Sequence, residues 1–122
     1  MSAPALILDP QVKRALDEGL AAAFGVAPTH YFSAPGRTEV GGNHTDHQHG
    51  RVLAAAVDLD TRAAVSCNGT DLIRVRSEGY DLCVVDLTEL EPQAQEQNTT
   101  TALIRGVAAR MIQLGCPVRG FD

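Results

Sequence analysis

The sequence contains no tryptophan and, in 122 residues, only three phenylalanines and two tyrosines. Its hydrophobic residues, 44% of the total, are therefore mostly alanine, valine and leucine. This composition predicts a core packed from small side chains and excludes one built around an aromatic cluster. The length suits one domain whose stability margin is narrow.

Cysteine is also scarce, and the three thiols Cys67, Cys83 and Cys116 are far apart. No Cys-x-x-Cys pair occurs, which argues against both a disulfide framework and a zinc site, so we expect buried thiols in a reducing compartment. The apolar run at residues 5–8 has no basic region before it and is too short for a signal peptide or a membrane span. Together these features predict a cytoplasmic protein without a membrane partner.

Positive charge is in deficit, with ten Lys and Arg residues against fifteen Asp and Glu residues and a formal net charge of −5. The arginines are scattered along the chain. Nucleic-acid binding requires a concentrated basic patch, so the charge pattern argues against a nucleic-acid partner.

Two helices are predicted from caps and periodicity. Asp9-Pro10 is a typical start for a helix over residues 10–24, and Gly25 is a typical stop. A second helix is predicted over residues 100–114, ended by Gly115. Its apolar stripe is expected to be buried and consists of Leu103, Ile104, Val107, Ala108, Met111 and Leu114.

The remaining segments predict strands. We expect one strand at residues 29–34, ended by Pro35-Gly36, and two apolar stretches within residues 52–67. After the turn at Asn68-Gly69, residues 72–76 and 82–87 alternate as an antiparallel pair, with Arg74 and Arg76 facing solvent. The chain is thus predicted to be an α+β fold, with a mixed or antiparallel sheet, packed helices and a single partial domain over residues 1–122.

Most of the chemically distinctive residues lie between residues 30 and 58. Gly36, Gly41, Gly42 and Gly50 allow positive φ angles or close approach to a ligand. Arg37 supplies a permanent cation with a planar set of donors. The side chains of Asn43, His44 and Asp46 offer mixed donors and acceptors, as a polyhydroxylated ligand requires, so a sugar is the first ligand to consider.

Residues 34–50, APGRTEVGGNHTDHQHG, resemble the galactokinase signature, a Gly-Arg-x-Asn-x-x-Gly-Glu-His-x-Asp-Tyr loop followed by a glycine. Galactokinases belong to the GHMP small-molecule kinases. Three positions depart from the signature: Glu39 stands where the family has Asn, Asn43 where it has Glu, and His47 where it has Tyr. The positions in register are Gly36, Arg37, Gly42, His44, Asp46 and Gly50.

The resemblance implies the amino-terminal half of the GHMP-kinase N-terminal domain, incomplete in this chain, and a parent enzyme that phosphorylates the anomeric hydroxyl of galactose with ATP. It implies that Arg37 is catalytic and that Asn43, His44 and Asp46 bind the sugar. ATP and Mg²⁺ are expected to bind mainly to residues beyond Asp122, so we expect this chain alone to be inactive. Exposed sheet surface makes self-association an expectation as well.

Two other functions are compatible with the sequence. One is a galactose-binding sensor module without catalysis. The other is a metal site, because His44, Asp46, His47 and His49 are possible ligands. Residues 42–47, Gly-Asn-His-Thr-Asp-His, match the His-x-His-x-Asp-His pattern of dinuclear metal hydrolases except at the first ligand position, where the chain has Gly42.

Overall fold

The computed structural model describes residues 8–42 and 49–122, and it has an α+β fold that confirms the predicted fold class. The chain divides into two compact units, one holding residues 31–63 and the other holding residues 9–30 and 64–122. The prediction of a single partial domain stays a prediction. In the described residues, no helix has the length and apolarity needed to cross a bilayer.

Helix α1 spans Pro10–Phe24, as predicted. The Asp9 carboxylate accepts hydrogen bonds from the backbone N–H groups of Gln11, at 2.8 Å, and Val12, at 3.4 Å. These bonds satisfy donors that the first turn of a helix leaves unpaired. Gly25 ends the helix in the left-handed conformation, with φ at 71°.

Strands β1 (His30–Gly41) and β2 (Leu53–Val65) form a two-stranded antiparallel sheet, called here the signature hairpin. The predicted strand end at Pro35-Gly36 is wrong, because β1 continues through both residues. Each strand of a two-stranded sheet has an unpaired edge, where a proline can be accommodated without losing a ladder hydrogen bond. The two apolar stretches predicted in residues 52–67 belong to one strand.

Strands β3 (Leu72–Val75) and β4 (Cys83–Asp86) pair antiparallel, with Leu72 opposite Asp86 and Val75 opposite Cys83, which confirms the predicted pair. Residues 120–122 lie along β3: the Phe121 N–H donates to the Leu72 carbonyl at 3.1 Å, and the Arg74 N–H donates to the Phe121 carbonyl at 2.9 Å. Phe121 also forms a bridge with Cys67. Residues 120–122 are thus tied to β3 by backbone hydrogen bonds and an isolated bridge between Phe121 and Ile73.

Arg76 is exposed and the Arg74 side chain is 37% exposed, as predicted, but Arg74 also has a partner that the alternation did not predict. The Arg74 guanidinium donates from Nε and Nη2 to the two Asp122 carboxylate oxygens, each at 2.6 Å, and lies 5.1 Å from the centre of the Phe24 ring. Hydrogen bonds from Arg74, and then from Asn68, hold the pKa of Asp122 below its usual value. The Asp122 side chain is only 1% exposed, and its partner lies 48 residues earlier, so local alternation along β3 gave no sign of this pair.

Helix α2 spans Thr100–Gln113, and the Thr99 hydroxyl caps it by accepting from the Ala102 N–H. Ala108 is buried with Ile73 and Val85 in the core of this unit, and Ile104 packs against them. The predicted buried stripe is otherwise wrong. In this structure the exposed members of that stripe are Leu103, Val107, Met111 and Leu114.

The thiols are also less buried than predicted. Cys67 is exposed, whereas Cys83 and Cys116 are half-buried, and all three are free. The Cys83 Sγ lies 3.2 Å from the Thr101 Oγ1 at the start of α2. The expectation of three buried thiols is therefore wrong for Cys67.

Arg105, in α2, is a buried charged residue: only 6% of its surface is exposed. Its Nε and Nη2 donate to the Glu96 carboxylate at 2.8 and 2.7 Å, and its Nη1 donates to the carbonyls of Glu89 and Asp86. One guanidinium thereby joins α2 to the segment that follows β4, which includes a short 3-10 turn at Ala94–Glu96. Arg105 also lowers the pKa of Glu96.

We predict that Arg105→Ala lowers the free energy of unfolding by about 2–4 kcal/mol, because it leaves a carboxylate and a carbonyl without their donor. Urea denaturation measures the change. Arg110→Ala is the matched control, since Arg110 is exposed on the same helix, and this variant should change stability by less than about 0.5 kcal/mol.

The effect of Arg105→Ala should also depend on pH. Because the folded pKa of Glu96 is depressed, its contribution is fully present above the unfolded pKa of about 4.3 and is lost as pH falls through the folded pKa. The difference between the wild type and Arg105→Ala should therefore narrow in acid. A difference that stays constant from neutral to strongly acidic pH would show that the ion pair is not its source.

Candidate functional site

Arg37 lies on β1 in the signature hairpin and is exposed. The sequence predicted that it lies in a loop starting at Pro35, but residues 36–41 are extended strand. No side-chain hydrogen bond or ion pair joins Arg37 to another residue of the described ranges 8–42 and 49–122. Its guanidinium is thus available to an anionic ligand such as a carboxylate or a phosphate.

Two glycines bring β1 close to β2 on either side of Arg37. A Cβ atom added at Gly36 would lie 3.1 Å from the Val57 Cγ2 and 3.2 Å from the Leu59 carbonyl oxygen. At Gly42 the φ angle is 82°, and an added Cβ would collide with the Arg51 carbonyl oxygen. Only glycine fits this second position without strain.

Glu39 follows two residues after Arg37, so both side chains leave the same face of β1. Glu39 is half-buried, and its Oε2 atom is inaccessible to solvent and lacks a hydrogen-bond partner in the described part of the chain. A buried acceptor left unpaired costs about 1–3 kcal/mol, so such atoms are rare in native proteins. The sequence marked Glu39 only as a departure from the signature, and because residues 36–41 were predicted to be a loop, nothing in the sequence indicated that this carboxylate is buried.

A second polar group in the hairpin is internally satisfied. The Asp60 carboxylate on β2 accepts from the Arg62 Nε at 2.9 Å and from the Ser33 hydroxyl on β1. The bond from Arg62, followed by that from Ser33, lowers the pKa of Asp60. Asp60 therefore links the two strands, which suits a structural carboxylate better than a ligand contact.

The three predicted sugar-binding residues, Asn43, His44 and Asp46, lie outside the described residues. They follow directly after Gly42. The metal alternative involves mostly the same segment. Among the residues that the structure does describe, no group of three or more His, Cys, Asp or Glu side chains could hold a metal ion.

Residues 20–67 match the family model of the galactokinase galactose-binding signature, a range that contains all of the signature hairpin. The chain carries the galactose-binding signature of the galactokinases. The recognition of a galactokinase amino-terminal region is thereby confirmed.

Curated galactokinases agree with this assignment. The chain is 35% identical over 100 residues to the galactokinase of Chloroflexus aggregans, and 34% identical over 100 residues to that of Chloroflexus aurantiacus, in both cases across 81% of this chain. The galactokinase of Lacticaseibacillus casei is 30% identical over 99 residues, or 80% of this chain. The matched region is only 25–26% of each relative, so the chain spans about a quarter of the length of the curated relatives that it matches.

We predict that Gly42→Ala lowers the free energy of unfolding of the signature hairpin by more than about 1 kcal/mol. The new methyl group would meet a backbone carbonyl, and the residue must keep a positive φ. Chemical denaturation gives the measurement. Gly41→Ala is the matched control: nothing lies within 4 Å of its added Cβ, so its cost should be clearly smaller. Equal costs at the two positions would contradict the close approach at Gly42.

Proposed function

We propose that the parent protein transfers the γ-phosphoryl group of ATP to the anomeric hydroxyl of galactose or a related hexose. The observation that carries the proposal is the galactose-binding signature over residues 20–67, together with the exposed, unengaged position of Arg37 in the described part of that signature. The relatives that support it are named galactokinases.

Arg37 is the proposed catalytic residue within this chain. Phosphoryl transfer leaves little covalent chemistry to the protein, which acts chiefly by positioning the reactants and stabilising charge. Arginine is suited to this task because its donors are fixed in a plane and its charge persists at all physiological pH values. A guanidinium already anchored to a carboxylate would lose much of this capacity, and Arg37 has no such anchor among the described residues.

Asn43, His44 and Asp46 are proposed to hold the sugar. Asp46 accepts hydrogen bonds only, whereas Asn43 and His44 can present both donors and acceptors. This combination matches ring hydroxyls, which both donate and accept. The proposal for these three residues rests on their positions in the signature sequence.

ATP and Mg²⁺ are proposed to bind mainly to parts of the parent protein outside this chain. This proposal rests on the resemblance to the galactokinase signature, and Mg²⁺ would supply neutralisation of the phosphate charge. We further propose that the 122-residue chain alone is catalytically inactive, that the parent enzyme works in the cytoplasm, and that exposed sheet surface lets this chain self-associate.

We predict that Arg37→Ala in the complete enzyme lowers kcat by two or more orders of magnitude, because charge that develops during phosphoryl transfer loses its stabilising cation. Steady-state kinetics with galactose and ATP measure the change. Arg76→Ala is the control, since Arg76 is an exposed arginine at the end of β3 in the other unit. Unchanged turnover in Arg37→Ala would remove Arg37 from the mechanism.

We predict that Asp46→Asn mainly weakens sugar binding, because one carboxylate oxygen is replaced by a donor that repels hydroxyl protons. Calorimetric titration of the complete enzyme with galactose tests this, and ATP-dependent phosphorylation of a panel of free hexoses tests the substrate class. Asp81→Asn, in the exposed turn before β4, is the control. Normal galactose affinity in Asp46→Asn would contradict the assignment, and absence of any sugar phosphorylation by the wild type would overturn the proposed activity.

A further inference from the structure

We propose that Asn68 is a deamidation site that the folded sheet protects, and that its conversion to a carboxylate prevents residues 120–122 from pairing with β3 again. The site lies in the unit that holds residues 9–30 and 64–122, apart from the signature hairpin. The inference is therefore independent of the proposed kinase activity. It concerns how long the protein keeps its fold.

The reactive group is the side-chain amide of the single Asn-Gly step in the sequence, Asn68-Gly69. In deamidation the Gly69 backbone nitrogen attacks the Asn68 Cγ atom, the Cγ–Nδ2 bond breaks, and the N–H proton leaves with the amide nitrogen as ammonia. Water then opens the cyclic imide to aspartate or isoaspartate, so an amide and water become a carboxylate and ammonium. Glycine favours the attack because it has no Cβ atom to obstruct it.

In the folded chain, hydrogen bonds hold both polar atoms of this amide. The Asn68 Nδ2 group donates to the Asp122 Oδ1 at 2.8 Å and to the Leu72 carbonyl at 3.0 Å. The Asn68 Oδ1 atom accepts from the Thr70 N–H at 3.0 Å and from the Thr70 hydroxyl at 2.8 Å. Attack makes the planar Cγ atom tetrahedral and displaces both polar atoms, so all four bonds oppose it. The segment must therefore open before it reacts.

The product does not fit the same sheet. A carboxylate at position 68 would place an acceptor where Nδ2 now donates, against the Asp122 Oδ1 and the Leu72 carbonyl. The Asp122 side chain is 1% exposed, and hydrogen bonds from Arg74, and then from Asn68, hold its pKa below its usual value. Two ionised carboxylates at this distance repel each other, and burial of one of them strengthens the repulsion.

The packing around Asn68 leaves no room for a rearranged side chain. The Gly120 N–H donates to the Thr70 carbonyl at 2.9 Å, and the Asn68 N–H donates to the Gly120 carbonyl at 3.4 Å. A Cβ atom added at Gly120 would lie only 2.7 Å from the Asn68 Oδ1. Isoaspartate lengthens the backbone by one atom at this point, so it would also break the register of these bonds.

Deamidation rates in the folded and unfolded states test the protection. The complete protein is incubated with and without urea in one buffer, and mass spectrometry of the peptide that contains Asn68 measures its conversion. We expect conversion to be at least about 10-fold slower in the folded protein, because only opened chains react. Asn98 is the matched control: it is exposed, and the branched Thr99 that follows obstructs the attack, so its conversion should be slow in both states. Equal rates at Asn68 in both states would overturn the protection.

Thermal unfolding of Asn68→Asp tests the consequence. We expect the midpoint to fall by about 3 °C or more, whereas Asn98→Asp, the same change at an exposed site, should shift it by less than about 1 °C. An Asn68→Asp protein that unfolds at the wild-type temperature would overturn the proposal. If this variant does not fold, wild-type protein is refolded after increasing times in urea. Chains that fail to refold should be enriched in deamidated Asn68, and equal deamidation in refolded and unfolded fractions would overturn the proposal.

Discussion

The close approach of β1 and β2 at Gly36 and Gly42 determines how the signature hairpin presents its side chains. Gly36 lies against the Leu59 carbonyl of β2, and Gly42, directly after β1, lies against the Arg51 carbonyl just before β2. A Cβ atom would crowd the first contact and collide in the second. Contact on both sides of Arg37 fixes the pairing of the strands over the whole segment between them. A slip of one residue would turn Arg37 and Glu39 to the other face of the sheet. The two glycines thus help to set which face of the hairpin carries these side chains.

The second unit is stabilised differently, by arginine side chains that pair with carboxylates elsewhere in the sequence. Its core of Ile73, Val85 and Ala108 is small, as expected for a chain with few large apolar residues. Arg105 and Arg74 each form a bidentate pair of hydrogen bonds with one carboxylate, the first with Glu96 and the second with Asp122. Such paired bonds fix geometry as well as adding energy, and they limit the ways in which a small core can pack.

The sequence predicted those parts of the fold that depend on near neighbours. The cap at Asp9 and the stop at Gly25 act within one helical turn, and both are confirmed. The strand end expected at Pro35 is wrong because the tolerance for proline depends on which edge of the strand is unpaired, and that is set by β2. The partner of Arg74 was not predicted for a similar reason, since it is 48 residues away.

The candidate site shows the same contrast between features that near neighbours determine and features that depend on distant residues. Identity of residues in a spaced motif was enough to recognise the galactokinase signature, because six positions match in register across residues 34–50. The burial of one oxygen of Glu39 could not be read from the motif. It depends on the strand conformation of residues 36–41 and on the alanine run across from it, and neither follows from the motif alone.

Arg37 and Glu39 share one face of β1 but differ in their contact with water. The exposed guanidinium of Arg37 is hydrated, so exchanging water for an anionic oxygen yields a modest net gain. The Oε2 atom of Glu39 is shut off from water and unpaired, which lowers the stability of the folded hairpin by an amount typical of a buried acceptor without a donor. Of the two groups, only the Arg37 guanidinium can be reached directly by a ligand from solvent, because an atom that excludes water also excludes a hydroxyl group.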